Sequence, residues 1–192
     1  MHREILGLAP GDERAGDHIN RIKLDNRREN LRIVPKGVQI QNVNSQPGAS
    51  SNHRGGFWHK KIYPYQMWLD GLYMGAPFYA EYAMLAHEDT AFNDIANQFI
   101  WMEKHARDAK TGLLYHAWDE SKQMKWANPT TGLSPLFWSR AMGWYATALV
   151  DALEYFPEDH PKRKDLIAIL NRLVGAIEKQ QDKETGLWKD IL

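Results

Sequence analysis

The most unusual carboxylate in the chain is Asp70, which interrupts an apolar and aromatic run at residues 66–74. If this side chain is buried, its charged form is disfavoured and its pKa rises, which suits a general acid near neutral pH. The alternative is a structural aspartate bonded to the backbone or to an arginine. We therefore take Asp70 as the candidate catalytic residue and leave its structural role open.

A second cluster lies at residues 114–119, Leu-Tyr-His-Ala-Trp-Asp. His116 and Trp118 are two positions apart, so they share a face if the segment is extended. A tryptophan stacks on sugar rings, and a histidine hydrogen-bonds a hydroxyl or carboxylate. Both are predicted to bind substrate. The alternative is that Trp118 belongs to the core and His116 caps a helix.

A third cluster spans residues 128–144 and places one arginine, Arg140, among aromatic side chains that include Trp138 and Trp144. The planar guanidinium binds a carboxylate through two parallel hydrogen bonds, so Arg140 suits an acidic sugar. Alternatively, Arg140 pairs with a core carboxylate such as Asp70. An aspartate, a histidine, an arginine and several tryptophans together suit binding and protonation of an acidic sugar.

Hydrophobic periodicity predicts the elements that must position these residues. Four helices are expected, at Tyr65–Ala86, Thr90–Ala109, Pro135–Phe156 and Pro161–Gln181. The first is apolar nearly all round, which predicts a buried helix, and Pro77 should kink or divide it. Ser134 and Pro135 suit the N-cap and first position of the third.

An internal repeat supports helical pairs. The pattern D-x-x-T-G-L follows the second helix at residues 108–113 and recurs 74 positions later at residues 182–187. Repeated helical pairs with long loops predict a toroid of hairpins, an (α/α) barrel seen in part. The alternative is a common helix-stop turn, in which the glycine supplies a left-handed conformation.

The composition narrows the class of protein. The 192 residues are 43% hydrophobic, enough for a packed core, and include no cysteine. This excludes disulfides, thiolate metal sites and cysteine nucleophiles, and it suits a reducing compartment. The N-terminus does not resemble a signal peptide, and no stretch approaches the roughly 20 apolar residues that span a bilayer. We expect a cytoplasmic protein without a membrane partner.

An abrupt change in composition predicts two segments, 1–54 and 55–192. All 22 aromatic residues lie at or after Phe57. Residues 1–54 carry nine Lys and Arg against six Asp and Glu, whereas residues 55–192 carry 15 against 18. Residues 42–56 are rich in Asn, Ser and Gly, which is typical of a linker.

Residues 56–192 resemble the unsaturated rhamnogalacturonyl hydrolases of glycoside hydrolase family 105, which are related to family 88. Four motifs carry the resemblance, in order: GGFWHK at 55–60, YPYQMWLDGLYM at 63–74, YHAWD at 115–119 and FWSRAMGW at 137–144. The resemblance implies an (α/α)6 barrel, here incomplete. It also implies that Asp70 is the catalytic acid/base and that His116, Trp138 and Arg140 line the pocket.

The resemblance further implies the substrate, an oligosaccharide that ends in an unsaturated galacturonyl or glucuronyl residue, as pectin lyases leave. Asp70 is expected to protonate C4 of the C4=C5 double bond and to assist addition of water at C5. The adduct then collapses and releases the remaining sugar. No metal or other cofactor is required.

Residues 1–54 resemble the core of phage-type HNH homing endonucleases, through Asp17-His-Ile-Asn20 and Leu24-Asp-Asn-Arg-Arg-Glu-Asn-Leu-Arg32. The resemblance implies a small, irregular α+β segment in which His18 activates water, Asp17 holds a divalent metal such as Mg²⁺ and Asn30 orients the histidine. Its basic residues suit phosphate contacts with nucleic acid.

Three hypotheses follow for the chain: a carbohydrate-active enzyme, a metal-dependent nuclease or DNA-binding module, and a non-catalytic helical remnant.

Overall fold

The computed structural model describes residues 14–18, 31–35, 55–60 and 62–192. The chain divides into two compact units, Met1–Ala49 and Ser50–Leu192. In the first, β1 (Arg14–His18) pairs with β2 (Leu31–Pro35) as antiparallel strands. The sequence did not predict this pair.

The second unit is mainly helical, as predicted. Its elements, in chain order, are β3 (Gln66–Trp68), α1 (Leu69–Ala86), α2 (Ala91–Ala106), β4 (Ala117–Asp119), α3 (Ser139–Tyr155) and α4 (Arg163–Glu178). In the part of the chain that the structure describes, no helix is both long and apolar enough to cross a membrane.

The first predicted helix begins four residues later than expected. Tyr65 has a left-handed backbone with φ of 63°, which interrupts a right-handed helix. The next three residues form β3, which runs antiparallel to β4 with Met67 opposite Trp118. Pro77 lies inside α1, which continues through it as one helix to Ala86. Long-range strand pairing therefore overrides local helical periodicity at this point.

The third predicted helix also begins four residues later than expected, at Ser139. Ser134 does not cap it. Instead, the Ser134 amide donates to the carbonyl of Ala117 (2.9 Å), and the Ala117 amide donates back to the Ser134 hydroxyl (3.1 Å). Residues before α3 are thus used to extend the pairing around β4, so the serine satisfies a strand and not a helix end.

The core lies between the four helices. α1 packs against α2 and α3, and α4 packs against α2 and α3. Most of the predicted apolar stripe of α2 is fully buried: Phe92, Ile95, Ala96, Phe99 and Met102. The prediction that α1 is buried all round is wrong, because among the described residues only its α2- and α3-facing side is covered. Its opposite side exposes Met74, Phe78, Tyr82 and Leu85.

The predicted repeat is present as a repeated turn. In both copies the first residue's amide donates to the sixth residue's carbonyl (2.9 Å), at residues 108–113 and 182–187. The glycines, Gly112 and Gly186, have φ of 76° and 69°, the left-handed conformation that glycine adopts without penalty. A third copy at 128–133, with Asn in place of Asp, makes the same 2.9 Å bond and was not predicted.

Candidate active site

Asp70 lies in the first turn of α1 and is half-buried. Its Oδ1 is a buried atom without a protein hydrogen-bond partner. The alternative of a backbone-bonded or arginine-paired structural aspartate therefore does not describe Oδ1, and a buried oxygen without a protein partner is available to a ligand.

His59 packs over this end of α1. A Cβ placed on Gly71, the residue after Asp70, would lie 2.7 Å from the His59 Nδ1. The imidazole stacks on the Trp68 indole with centroids 4.4 Å apart and planes within 3°. Tyr63 lies parallel to the same indole at 5.5 Å. Glycine at position 71 therefore makes room for the imidazole beside the aspartate.

The segment that carries His59 is fixed by a buried glutamine on α2. The Phe57 amide donates to Gln98 Oε1 (2.8 Å), and Gln98 Nε2 donates to the Gly55 carbonyl (2.9 Å). The His59 amide donates to the carbonyl of Gln66 (2.8 Å). These bonds join the Gly55–Lys60 segment to α2 and to β3, so His59 reaches Asp70 from outside the helices.

His116, the residue before β4, lies near the same end of α1. Its carbonyl accepts the Leu69 amide (3.0 Å) and so satisfies the first residue of α1. Its imidazole lies roughly perpendicular to the Trp68 indole, with centroids 5.1 Å apart, and to the Trp138 indole, at 5.4 Å. The Asp70 carboxylate acts electrostatically on this imidazole, so the two residues lie near each other, and their shared role in a pocket stays a prediction.

The electrostatics link the three groups. Burial lowers the pKa of both His59 and His116, and the Asp70 carboxylate opposes this in each case. His59 Nδ1 and His116 Nε2 are, like Asp70 Oδ1, buried atoms without a protein partner. Two imidazoles that favour the neutral form therefore flank one carboxylate. Asp70, His59 and His116, with the indoles of Trp68 and Trp126 around them, form one cluster. Its three unpartnered polar atoms are available to bind a molecule other than the protein.

Arg140 and Trp138 border the cluster. The Arg140 guanidinium lies over the Trp138 indole, 4.0 Å from its centroid, a cation–π contact. Arg140 is exposed and occupies the second position of α3, as Asp70 does in α1. Its guanidinium makes no ion pair among those described, which leaves its planar fork open to an anionic ligand.

Trp144 lies one helical turn beyond Arg140 on α3. Its ring packs on Tyr73 of α1 with centroids 4.4 Å apart. Tyr73 is three residues after Asp70, so this pair lies one turn further along the α1–α3 interface. The structure therefore places Trp144 against Tyr73 of α1, and its predicted role in binding substrate stays a prediction.

Trp118 is not brought to the cluster. Its side chain is 7% exposed and belongs to the hydrophobic core. The indole stacks on His105 of α2 at 3.9 Å, and its Nε1 donates to the carbonyl of Thr131 (3.2 Å). The structure therefore supports the alternative in which Trp118 belongs to the hydrophobic core. Strand parity predicted a shared face with His116, but His116 precedes β4 and packs on different neighbours.

Sequence reasoning missed three residues of the cluster: His59, Trp68 and Trp126. The Trp126 indole meets the edge of Trp68 at 6.5 Å. A signal was available for His59 in the GGFWHK motif, where a histidine follows two aromatic residues. His59 is separated from Asp70 in the sequence, so only the fold shows that the two side chains lie near each other.

The nuclease residues are not tested by this geometry. Asp17 and His18 lie in β1, opposite Arg32 and Leu31 of β2. Asn30 lies outside the described residues. The nuclease hypothesis and its Mg²⁺ site stay predictions.

Comparisons with known proteins point to one family. A family model described as Glycosyl Hydrolase Family 88 matches residues 38–192. Protein Atu3128 of Agrobacterium fabrum is 39% identical over 119 residues, which cover 62% of this chain and 50% of that protein. The unsaturated rhamnogalacturonyl hydrolase YesR of Bacillus subtilis is 33% identical over 131 residues, 68% of this chain and 36% of that protein.

A solved structure shows that the fold is also that of related glycoside hydrolases. A family 105 glycoside hydrolase of C. acetobutylicum is 50% identical to this chain, with a TM-score of 0.74. The similarity covers 81% of this chain and 42% of that one. The chain thus spans half or less of the length of these relatives.

Proposed function

The chain belongs to Glycosyl Hydrolase Family 88, and we propose that its second unit hydrolyses oligosaccharides that end in an unsaturated uronic acid. Asp70 is the acid that protonates C4 of the C4=C5 double bond. His59 and His116 bind hydroxyl groups or the attacking water beside it. Arg140 and Trp138 bind the carboxylate and the ring of the terminal sugar.

One observation carries the proposal. Three buried polar atoms, Asp70 Oδ1, His59 Nδ1 and His116 Nε2, lack protein partners and belong to one aromatic-walled cluster. Leaving buried polar groups unpaired costs about 1–3 kcal/mol each, so three together favour a binding site over a structural role. The relative YesR, named as an unsaturated rhamnogalacturonyl hydrolase, supports the substrate class.

The proposed reaction differs from ordinary glycoside hydrolysis, which uses two carboxyl groups on opposite sides of the glycosidic bond. Asp70 transfers its proton to C4, and positive charge develops on C5 and the ring oxygen. Water adds at C5 and returns a proton to Asp70. The C5–O bond of this hemiketal breaks to give a ketone, and the hemiacetal left at C1 expels the second sugar as an alcohol.

The polar groups divide this work. Neutral imidazoles at positions 59 and 116 suit hydrogen bonds to hydroxyls and water, because burial keeps the pKa of each below its usual value. A guanidinium at position 140 suits the C6 carboxylate of a uronic acid. The chemistry calls for no metal or cofactor. We propose that the protein acts in the cytoplasm, because a chain without cysteine suits a reducing compartment.

We also infer that the two hairpins, α1–α2 and α3–α4, are neighbouring pairs of an incomplete (α/α)6 barrel. The repeated turns at 108–113 and 182–187 support this, as does the likeness to the family 105 structure. In this arrangement α1 and α3 lie side by side, and their first turns present Asp70 and Arg140 at the same end.

The test is loss of the ultraviolet absorbance of the double bond when the protein is mixed with an unsaturated uronyl disaccharide. Asp70→Asn keeps the size of the side chain and removes the proton donor, so we expect a loss of at least about 100-fold in rate, as for other general acids. Asp165→Asn is the matched control, because Asp165 is also in the first turn of a helix, α4, but is exposed.

Full activity in Asp165→Asn with loss in Asp70→Asn supports the proposal. Equal activity in Asp70→Asn and wild type would refute the role of Asp70. No loss of absorbance with a folded wild-type chain would favour a non-catalytic protein.

A further inference from the structure

The two helical hairpins start in the same way. Each of α1 and α3 is preceded by a tryptophan in extended conformation, Trp68 and Trp138. Each tryptophan pairs across an antiparallel bridge with a residue that follows a D-x-x-T-G-L turn. Trp68 pairs with Ala117, and Trp138 pairs with Ile191. The position before Ala117 in the first repeat therefore corresponds to the position before Ile191 in the second.

These corresponding positions are occupied by His116 and Asp190. The Leu69 amide at the start of α1 donates to the carbonyl of His116 (3.0 Å). The Ser139 amide at the start of α3 donates to the carbonyl of Asp190 (2.9 Å). Asp190 thus stands in the second repeat where a cluster residue stands in the first.

The side chain of Asp190 makes a specific contact. Trp138 Nε1 donates to Asp190 Oδ1 (2.9 Å). The same indole carries the Arg140 guanidinium at 4.0 Å and meets His116 edge-on at 5.4 Å. One hydrogen bond that the Trp138 indole donates to Asp190 therefore sets the plane of a ring that contacts both Arg140 and His116.

We propose that Asp190 is a positioning residue, whose carboxylate holds the Trp138 indole and thereby the Arg140 guanidinium in the orientation that receives an acidic sugar. The positioning of Trp138 by Asp190 and of Arg140 by Trp138 stands on the geometry alone. The part that concerns the acidic sugar rests on the proposed function.

The first experiment needs no substrate. In NMR spectra of ¹⁵N-labelled protein, Trp138→Phe assigns the Trp138 indole resonance, and Arg140 side-chain protons are expected upfield because they lie over the ring. Asp190→Ala should move the indole proton upfield and return the Arg140 protons toward ordinary positions. Asp190→Asn, which keeps an acceptor oxygen, should preserve both. Lys189→Ala is the neighbouring control and should change neither.

Two results would overturn the proposal: unchanged Trp138 and Arg140 resonances in Asp190→Ala, or an Asp190→Asn spectrum that matches Asp190→Ala. Exchange protection of the Ser139 amide reports whether the backbone pairing survives. If Asp190→Ala loses it, a double variant decides the matter. In a Trp138→Phe background the positioning role predicts no further change at Arg140 on replacing Asp190 by Asn or Ala, and a further change contradicts it.

The second experiment measures turnover of the unsaturated uronyl disaccharide. Loss of one hydrogen bond that only positions the binding groups should raise KM about three- to tenfold in Asp190→Ala and leave kcat within about twofold. Asp190→Asn should restore KM. A fall in kcat at unchanged KM would overturn the role. If wild type neither binds nor turns over this sugar, the proposed function fails, while the spectra still decide the role of Asp190.

Discussion

At the scale of single residues, the site depends on how closely His59 approaches α1. Gly71 is the residue that permits this approach, since its missing Cβ would stand 2.7 Å from the imidazole. Gly75, one turn later on the same helix, has open space where a Cβ would be. Comparing the two glycines therefore distinguishes the need for space beside His59 from the general preference of helices for alanine over glycine.

Replacing each glycine by alanine tests this. Gly75→Ala should stabilise the protein by about 0.5–1 kcal/mol, the usual helix preference for alanine, and leave activity unchanged. Gly71→Ala should gain less, because the imidazole must move from its stack on Trp68, and should lower kcat/KM by about tenfold or more. Chemical denaturation and the absorbance assay measure the two effects. Equal behaviour of both variants would contradict the account.

The cluster also predicts a pH dependence of stability. The pKa of His116 is lowered in the folded protein, mainly by burial. Below the ordinary histidine pKa of about 6.5, the unfolded chain therefore binds protons that the folded chain resists, and stability falls as the pH drops toward the lowered folded value.

His116→Gln removes this linkage and should make the loss of unfolding free energy between about pH 7 and pH 5 shallower than in wild type. Denaturation curves at several pH values measure it. His87→Asn, at an exposed left-handed position that asparagine tolerates, is the control for removal of a histidine elsewhere. A wild-type slope retained in His116→Gln would show that other groups produce it.

At the scale of elements, the loop between β4 and α3 depends on Asp119. This carboxylate is fully buried and accepts four hydrogen bonds, from the Ser121 amide and hydroxyl (3.0 and 2.6 Å) and from the amides of Gln123 and Met124 (3.0 Å each). The loop it organises carries Trp126, whose ring borders Trp68. Asp119 therefore links a strand end to the wall of the site.

Asp119→Asn should destabilise the protein by about 2–4 kcal/mol, because an amide NH₂ would face backbone donors in a buried place. Asp108→Asn should cost less than about 1 kcal/mol. Asp108 is only partly buried, and Asn128 already makes the equivalent turn with its amide oxygen. Urea denaturation measures both. A small effect at position 119 would contradict the structural role of its carboxylate.

The same scale shows what sequence periodicity could and could not predict. The bodies of α2 and α4 were predicted well, since each buries a stripe of apolar residues that repeats with the helical period. The starts of α1 and α3 were missed because Gln66–Trp68 and Ser134 pair with β4, a contact between residues far apart in sequence. Hydrophobic periodicity is a local pattern and does not predict pairing between residues that are far apart in sequence.

At the scale of the whole second unit, the cluster is built from equivalent positions of two repeats. Asp70 and Arg140 both occupy the second position of a helix, and His116 and Asp190 both support the start of one. The motifs predicted Asp70, His116 and Arg140. They did not predict His59 or Asp190, whose contacts with Trp68 and Trp138 depend on how each repeat folds.

The central claim is that Asp70 delivers a proton to C4 of an unsaturated uronic acid, and the most direct measurement is the site of isotope incorporation. With an unsaturated uronyl disaccharide in heavy water, NMR of the earliest product should show one deuteron at C4 and no remaining double bond, with wild type but not with Asp70→Asn. Release of the second sugar with the double bond intact and no deuterium at C4 would contradict the account.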